Sequence, residues 1–244
     1  DYVLANNRSK HGGFSINALP SGMIHCLAGN LGAALIDLGK YGDERLQSAL
    51  DWLARSITGS GIALSDQKQE AVRFLRSGNS GPGFLCSANN QLPCAWGAVK
   101  AMLALAKIPS LDRSEEEKKA LEVGVTFLLS RNPAEADYPM GYSKKPNRSW
   151  FNFGFPVAYV TDVLQNLEVL TMLGHGSDEK VIPALKLLLD KQDKNGRWTM
   201  DYSYNGKTWV DVEEKGRPSK WVTYRALKVF TQASSRPPLS YPPN

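Results

Sequence analysis

The sequence predicts an all-α fold made of helical hairpins. Helical periodicity comes in consecutive pairs of segments, and the members of each pair are joined by a short connector rich in turn residues. The first segment of each pair is apolar almost all round, whereas the second is amphipathic. Strand-like alternation is nearly absent. The simplest arrangement is therefore an inner ring of buried helices, wrapped by an outer ring of amphipathic helices.

Seven helices follow from this periodicity. The predicted pairs span 30–39 with 43–57, 94–108 with 115–130, and 160–173 with 178–191, and a last helix spans 220–232. Asp43, Ser114 and Ser177 are the expected N-caps, since short side chains with an oxygen satisfy the free N–H groups of a first turn. One short hairpin is also expected at 202–209, with Asn205-Gly206 at its turn.

Three long loops separate the pairs, at 58–93, 131–158 and 193–219. Each runs from the end of an outer helix to the start of the next inner helix, so all three are expected at one end of the helical array. Loops of this length in a compact domain usually carry function. They also lie above helix N-termini, which favour anions. The loop end is therefore the expected functional end.

Composition is typical of a globular protein, with 42% hydrophobic and 22% charged residues among 244. We expect one domain over 1–233 and an irregular tail rich in Ser and Pro over 234–244. The net charge of +5 comes from scattered basic residues, so no nucleic-acid partner is expected. No apolar run approaches the roughly 18 residues that a membrane span needs.

The three cysteines point to a reducing compartment rather than a disulfide framework, so a cytoplasmic location is expected. The chain begins with Asp1 and not with Met, which is typical of a processed form or a fragment. A missing upstream segment or a homo-oligomer would complete a ring that seven helices leave open.

One motif at the end of the 178–191 helix is distinctive. Gln192, Gly196 and Trp198 form the pattern Q-x-x-x-G-x-W. Gln192 is expected to bond free carbonyls at the helix end, Gly196 to adopt a positive φ, and Trp198 to cover the turn. Alone, the motif predicts a helix end covered by a packed Trp.

Within a repeat of helical hairpins, this QW motif resembles the terpenoid cyclase and protein prenyltransferase superfamily, whose fold is an alpha/alpha toroid. The segments 94–101 and 209–223 resemble bacterial proteins described as squalene cyclase-like or prenyltransferase-like. The chain departs from that family because only one copy of the motif is intact, and because a complete toroid has more than seven helices. The resemblance implies an alpha/alpha toroid-like array, as an incomplete ring with its long loops at one end.

The resemblance also implies acid chemistry. A class II terpenoid cyclase protonates its substrate with D-x-D-D, in which a neighbouring carboxyl keeps the central acid protonated. Here Asp211, Glu213 and Glu214 place carboxyl groups at the same spacing, and they are the acid candidates. The alternative is a solvated loop in which they pair with Lys215. Asp162 is a further catalytic candidate at the start of an inner helix, where its alternative role is an N-cap.

A metal site is the second implication, because protein prenyltransferases bind zinc through Asp, Cys and His. His25, Cys26, Cys86 and Cys94 lie at or near the N-termini of two neighbouring inner helices. Their spacing matches no zinc-ribbon pattern, and adjacent residues such as His25 and Cys26 rarely share one metal ion. Buried free thiols or a Cys86–Cys94 disulfide are the alternatives.

Aromatic residues are concentrated in and beside the long loops. Such rings can stabilise a carbocation, stack on a sugar ring, or simply pack the loops. Seven of them are predicted to bind the substrate: Trp96, Tyr138, Tyr142, Trp150, Phe153, Trp209 and Trp221.

Three functions remain open from the sequence. The first is a terpenoid cyclase- or prenyltransferase-like enzyme that acts on a largely apolar small molecule in an aromatic pocket at the loop end. The second is a carboxylate-dependent hydrolase of the glycosidase type on the same fold, with a carbohydrate substrate. The third is a non-catalytic binding or assembly module, since an incomplete ring exposes apolar helix surface.

Overall fold

A computed structural model describes residues 1–60 and 79–235 as a mostly helical protein with small antiparallel sheets. The chain divides into two compact units. Unit 1 contains Asp1–Leu128 and Tyr138–Lys144, and unit 2 contains Leu129–Asp137 and Lys145–Asn244. The helical character agrees with the predicted fold class, whereas the small sheets are not part of an all-α fold.

Unit 1 carries two of the predicted helical hairpins. The α-helices described in 1–60 and 79–144 of this unit are α1 (Tyr2–Asn6), α2 (His25–Asp37), α3 (Glu44–Thr58), α4 (Ala95–Ala106) and α5 (Glu115–Leu128). The predicted caps are confirmed at two of them. The carboxylate of Asp43 accepts a hydrogen bond from the Arg45 N–H at 2.9 Å, before α3. Before α5, Ser114 and Glu117 each accept from the other's backbone N–H, as in a capping box.

The apolar helices of unit 1 pack on each other, as do the amphipathic ones. α2 packs against α4, and α3 packs against α5, as an inner and an outer layer require. α2 and α4 approach each other closely at Gly29, where a Cβ would overlap the backbone carbonyl of Lys100. α4 is buried along almost its whole length, including Lys100, which is 1% exposed.

A small three-stranded sheet lies at the N-termini of these inner helices. It consists of β1 (Ser80–Gly81), β2 (Leu85–Cys86) and β3 (Leu92–Pro93), all antiparallel. The backbone N–H of His25 in the first turn of α2 donates to the Ser80 hydroxyl at 3.1 Å. Cys94, the N-cap of α4, donates its N–H to the Phe84 carbonyl at 2.9 Å. In unit 1 the loop residues therefore meet the inner-helix N-termini, as predicted.

Unit 2 contains α6 (Val163–Met172), α7 (Ile182–Asp190), α8 (Lys220–Ser235), β4 (Trp198–Thr199) and β5 (Pro218–Ser219). The apolar helix α6 packs against α8, which buries Val222, Arg225, Ala226 and Val229. β4 and β5 pair antiparallel, with Trp198 opposite Ser219. This pairing links the segment that follows α7 to the start of α8.

The QW motif forms the turn expected after α7. Gly196 has a φ of +76°, in the left-handed region that favours glycine. Trp198 is buried, and its indole N–H donates to the Leu188 carbonyl at 2.7 Å. The indole therefore bonds a carbonyl of the last helical turn, which is the role predicted for Gln192. Trp198 therefore packs against the end of α7.

Several predicted boundaries are wrong by a few residues. α2 begins at His25 rather than at residue 30, and its N-cap Ile24 offers no side-chain hydrogen bond that would mark the start. α7 begins at Ile182 rather than at 178. The predicted hairpin at 202–209 is absent from this described segment. Tyr202 instead forms a parallel bridge with Gly154, and a turn brings the Lys207 N–H to the Tyr204 carbonyl.

Part of the long loop at 58–93 and most of the predicted tail lie in 61–78 and 236–244, outside the described residues. Among the helices that the structure describes, none is long and apolar enough to cross a membrane.

Candidate functional site

In unit 2, the two long loops meet each other. Gly154 bridges Tyr202, and the Asp201 N–H donates to the Phe153 carbonyl at 2.8 Å. The Asp201 carboxylate accepts a hydrogen bond from the Phe153 N–H at 3.1 Å and pairs with the Lys191 ammonium at 3.0 Å. These contacts hold 153–154 and 201–202 together, so the loops form one structured surface.

A buried ion pair anchors these loops to α6 and α8. The Arg225 guanidinium donates two hydrogen bonds to the Glu168 carboxylate, at 2.9 and 2.6 Å. A third N–H of Arg225 donates to the Gly154 carbonyl at 3.0 Å. Both charged side chains are largely buried, at 8% and 15% exposure. Arg225 thus fixes the backbone just before Phe155.

Asp162 is the one buried acid among the predicted catalytic residues. It is the N-cap of α6, and its carboxylate accepts a hydrogen bond from the Gln165 N–H at 2.8 Å. Burial raises the pKa of Asp162, while the Arg225 charge lowers it and the Glu168 charge raises it. A carboxyl group in such surroundings holds its proton more tightly than one in water.

The other three predicted acids lie near the start of α8. Asp211 is exposed and accepts the Gly206 N–H at 2.9 Å. The Glu213 carboxylate accepts the Lys220 N–H at 3.0 Å and the Ser219 hydroxyl, so it caps α8. Glu214 is exposed, 3.5 Å from Arg217. Their arrangement is that of a solvated, hydrogen-bonded loop, the alternative that the sequence left open.

The predicted substrate-binding aromatics fall into two groups. Three of them belong to the buried core: Tyr138, Trp150 and Phe153. Trp96 is half-buried, and the exposed ones are Tyr142, Trp209 and Trp221. Only the second group can reach a ligand without unpacking the core, and Trp209 and Trp221 are its members in unit 2.

Trp221 stacks on Phe155 at the start of α8. The ring centroids are 4.8 Å apart and the planes differ by 6°. Trp221 keeps 39% of its surface exposed, and the Lys220 ammonium lies 5.8 Å from its ring centroid. Tyr224, one helical turn further along α8, is 60% exposed. Phe155 and Tyr224 are not among the predicted site residues, although the run 150–155 and the periodicity of α8 point to both.

The four predicted zinc ligands are all in unit 1. His25 is buried between the rings of Trp52 and Phe84, and its Nε2 is 2.8 Å from the Ser56 hydroxyl. Burial lowers the pKa of His25 to about 4. A neutral imidazole paired with a hydroxyl inside an aromatic cluster is a satisfied core group.

The three thiols lie apart from this imidazole contact. Cys86 and Cys94 share a hydrogen bond, and Cys26 lies near Cys86 and the Lys100 ammonium. Across 1–60 and 79–235, no three His, Cys, Asp or Glu side chains are arranged to hold a metal ion. A zinc site at these residues stays a prediction.

Comparison with known proteins gives no match. No protein-family model, no curated protein and no solved structure is similar to the chain at a significant level. The resemblance to the terpenoid cyclase and protein prenyltransferase superfamily therefore stays a hypothesis, and function has to be argued from the site.

Proposed function

We propose that unit 2 binds a carbohydrate on the aromatic surface formed by Phe155, Trp221 and Tyr224. The stacked Phe155–Trp221 pair is the observation that carries the proposal. Its rings are parallel and partly exposed; Trp221 lies on α8, and Arg225 fixes the loop of Phe155 through the Gly154 carbonyl. A rigid, exposed aromatic platform loses little conformational entropy when a flat ligand face settles on it.

Exposure favours a sugar over an isoprenoid. Carbocation chemistry requires a site from which water is excluded, whereas Trp221 and Tyr224 face water beside the Lys220 ammonium. A sugar ring presents an apolar C–H face and a rim of hydroxyl groups, so it can stack on an aromatic ring while its edges stay hydrated. The mixed aromatic and charged character of this surface supports such an amphipathic ligand.

Trp209 supplies a second exposed ring in the same unit. It lies at the tip of the loop between β4 and β5, and its side chain is fully exposed. The Asp211 carboxylate and the Gly206 N–H close the turn that carries it. Removal of apolar surface from water is favourable by roughly 25 cal/mol per Å², so a ligand that covers the Trp209 ring would gain binding free energy.

Titration with oligosaccharides tests this proposal. Glucose hexamers with β-1,4 and α-1,4 linkages, and N-acetylglucosamine hexamers, are titrated into the full chain by calorimetry. We expect one of them to bind, and Trp221→Ala to weaken binding about tenfold, since one stacked ring contributes about 0.5–1.5 kcal/mol beyond its buried area. Tyr142→Ala is the matched control, because Tyr142 is an exposed aromatic residue of unit 1.

Two results would count against carbohydrate binding. One is a wild-type chain that binds none of the hexamers. The other is a Trp221→Ala chain that binds as tightly as wild type. Light scattering on the same samples tests the assembly alternative, in which a second copy covers the aromatic surface. The sugars are also assayed for cleavage, because release of shorter products would favour the glycosidase hypothesis over simple binding.

A second candidate function, an acid-catalysed reaction of the isoprenoid type, is supported by Asp162. Burial raises the pKa of Asp162, and a raised pKa is what a general acid needs to hold a proton for transfer. Squalene and a series of prenyl diphosphates are incubated with the full chain, and products are identified by mass spectrometry. Turnover lost in Asp162→Asn, which keeps the N-cap, would support this function. Turnover that survives in this variant, or that is absent in wild type, would oppose it.

A further inference from the structure

The β2–β3 pairing places two cysteines next to each other on one face of the small sheet. The register sets Cys86 opposite Leu92 and Leu85 opposite Pro93, so Cys94 continues the strand opposite Phe84. Cys86 and Cys94 are then diagonal neighbours whose side chains point to the same face. Their thiols share a hydrogen bond, so the two sulfur atoms are in contact.

This thiol pair is partly accessible. Both cysteines are of intermediate exposure, unlike the thiols of a closed core. The hydrogen bond from the Cys94 thiol stabilises a negative charge on Cys86 and lowers its pKa to about 6, and it raises the pKa of Cys94. One sulfur is therefore suited to attack, and the other remains protonated beside it.

The third cysteine, Cys26, lies near this thiol pair. Cys26 lies in the first turn of α2, close enough for the Lys100 charge to lower its pKa and for Cys86 to raise it. Burial is the largest effect on Cys26 and raises the pKa of its thiol. Cys26 is therefore less reactive than Cys86, and it serves as an internal reference for the pair.

We propose that Cys86 and Cys94 form a thiol–disulfide exchange site whose substrate is a low-molecular-weight disulfide. The Cys86 thiolate attacks one sulfur of the substrate disulfide, a mixed disulfide forms, and the other sulfur leaves as a thiolate. The Cys94 thiol loses its proton to water and attacks the Cys86 sulfur, which releases the second thiolate. The two cysteines are oxidised to a disulfide, and the substrate is reduced to two thiols.

The formation of this disulfide draws the strands together. Diagonal neighbours in a sheet are about 7–8 Å apart between Cα atoms, whereas a disulfide needs about 4.4–6.8 Å. β2 and β3 have two residues each, so a small movement of Leu92 and Pro93 closes the gap. Disulfides that require such a movement are more easily reduced, as a reversible site requires.

The probe is the aromatic disulfide 5,5′-dithiobis(2-nitrobenzoate), used with the full chain, followed by trypsin and mass spectrometry. Cys86 and Cys94 lie in one tryptic peptide, 77–100, and Cys26 lies in another, 11–40. We expect peptide 77–100 to lose two hydrogens and keep no adduct, with two coloured thiolates released per oxidised pair. Cys26 should react at least tenfold more slowly.

Two variants distinguish the attack of Cys86 on the probe from the later attack of Cys94 on the mixed disulfide. Cys94→Ser should release one thiolate and keep the nitrobenzoate adduct on Cys86, because the second thiol is missing. Cys26→Ser is the matched control and should behave like wild type at the pair. A lasting adduct on Cys86 in wild type, or a disulfide that joins peptides 11–40 and 77–100, would overturn the proposal. Wild-type peptide mapping decides the matter even where a variant does not fold.

Discussion

Arg225 binds Glu168 through two short hydrogen bonds inside unit 2, and its third bond reaches the Gly154 carbonyl. Removal of one partner leaves the other charge buried without compensation. We expect Arg225→Met to lower the free energy of unfolding by about 3–5 kcal/mol. Replacement of both residues, as Arg225→Met with Glu168→Met, should cost less than either single change. Denaturant unfolding measures all three, and simple additivity would contradict the buried pair.

Trp198 should stabilise the end of α7 through its indole N–H. Trp198→Phe keeps an aromatic ring but leaves the Leu188 carbonyl without that hydrogen bond, so we expect a loss of about 1–3 kcal/mol in unfolding free energy. Trp221→Phe is the control and should change stability by less than about 0.5 kcal/mol, because Trp221 is partly exposed. Equal effects at the two positions would contradict the role of the indole.

Gly29 should tolerate no side chain. Its missing Cβ lets α2 approach the backbone carbonyl of Lys100 in α4, and a methyl group there would force the helices apart. We expect Gly29→Ala to destabilise unit 1 by about 1–3 kcal/mol in thermal or denaturant unfolding. Gly42→Ala is the control, since a Cβ at Gly42 meets no atom within 4 Å. A Gly29→Ala variant as stable as wild type would mean that α2 and α4 pack less closely than described.

His25 should make stability depend on pH between 4 and 6.5. Its pKa is lowered from 6.5 to about 4 by burial, so the unfolded state takes up the proton first as pH falls. The stabilisation is complete above pH 6.5 and is lost as pH falls through 4, by about 3 kcal/mol in total. His25→Gln removes this titration, so the difference in unfolding free energy from wild type should shrink on acidification. A constant difference would contradict a neutral, buried His25.

Asp162 should give a pH dependence of the opposite sign. Burial raises its folded pKa above the ordinary value of 3.8, so the folded state holds the proton more tightly. Its contribution to stability is present below pH 3.8 and is lost as pH rises through the folded pKa. Wild type should therefore lose stability relative to Asp162→Asn as pH rises above 3.8.

Asp43 offers the matched comparison for Asp162. It is also an N-cap, but its hydrogen bond with Arg45 lowers its pKa. Its stabilisation is therefore lost as pH falls, and Asp43→Asn should show the reverse trend from Asp162→Asn in the same unfolding titration. Parallel trends at the two caps would contradict the effect of burial at Asp162.

Local signals in the sequence predicted the elements whose causes are local. Asp43 and Ser114 mark helix starts because their side chains bond N–H groups a few residues away. Gly196 and Trp198 mark the turn after α7 through other local causes, a positive φ at Gly196 and the bond from the Trp198 indole to the Leu188 carbonyl. The start of α2 escaped prediction because Ile24 carries no capping group.

The site depends on partners that are distant in the sequence. Arg225 contacts Glu168, which lies 57 positions away in the sequence. Trp221 contacts Phe155 in a fold where α6 and α8 pack against each other. The hydrophobic periodicity of a single segment does not show which distant residues that segment will contact. The spacing of Asp211, Glu213 and Glu214 suggested an acid site, yet Glu213 caps α8, because the loop returns its carboxylate to the helix N-terminus.

The pairing of Trp198 with Ser219 brings the two ends of residues 200–217 together at one narrow base. A loop whose ends already meet can change in length at a small entropic cost, which grows only slowly with the number of residues. Residues 206–212 can therefore be lengthened, shortened or exchanged while Glu213 still caps α8. Trp209 lies in this replaceable loop. Replacement of the loop can therefore change the ligand specificity while the packed core of the unit stays the same.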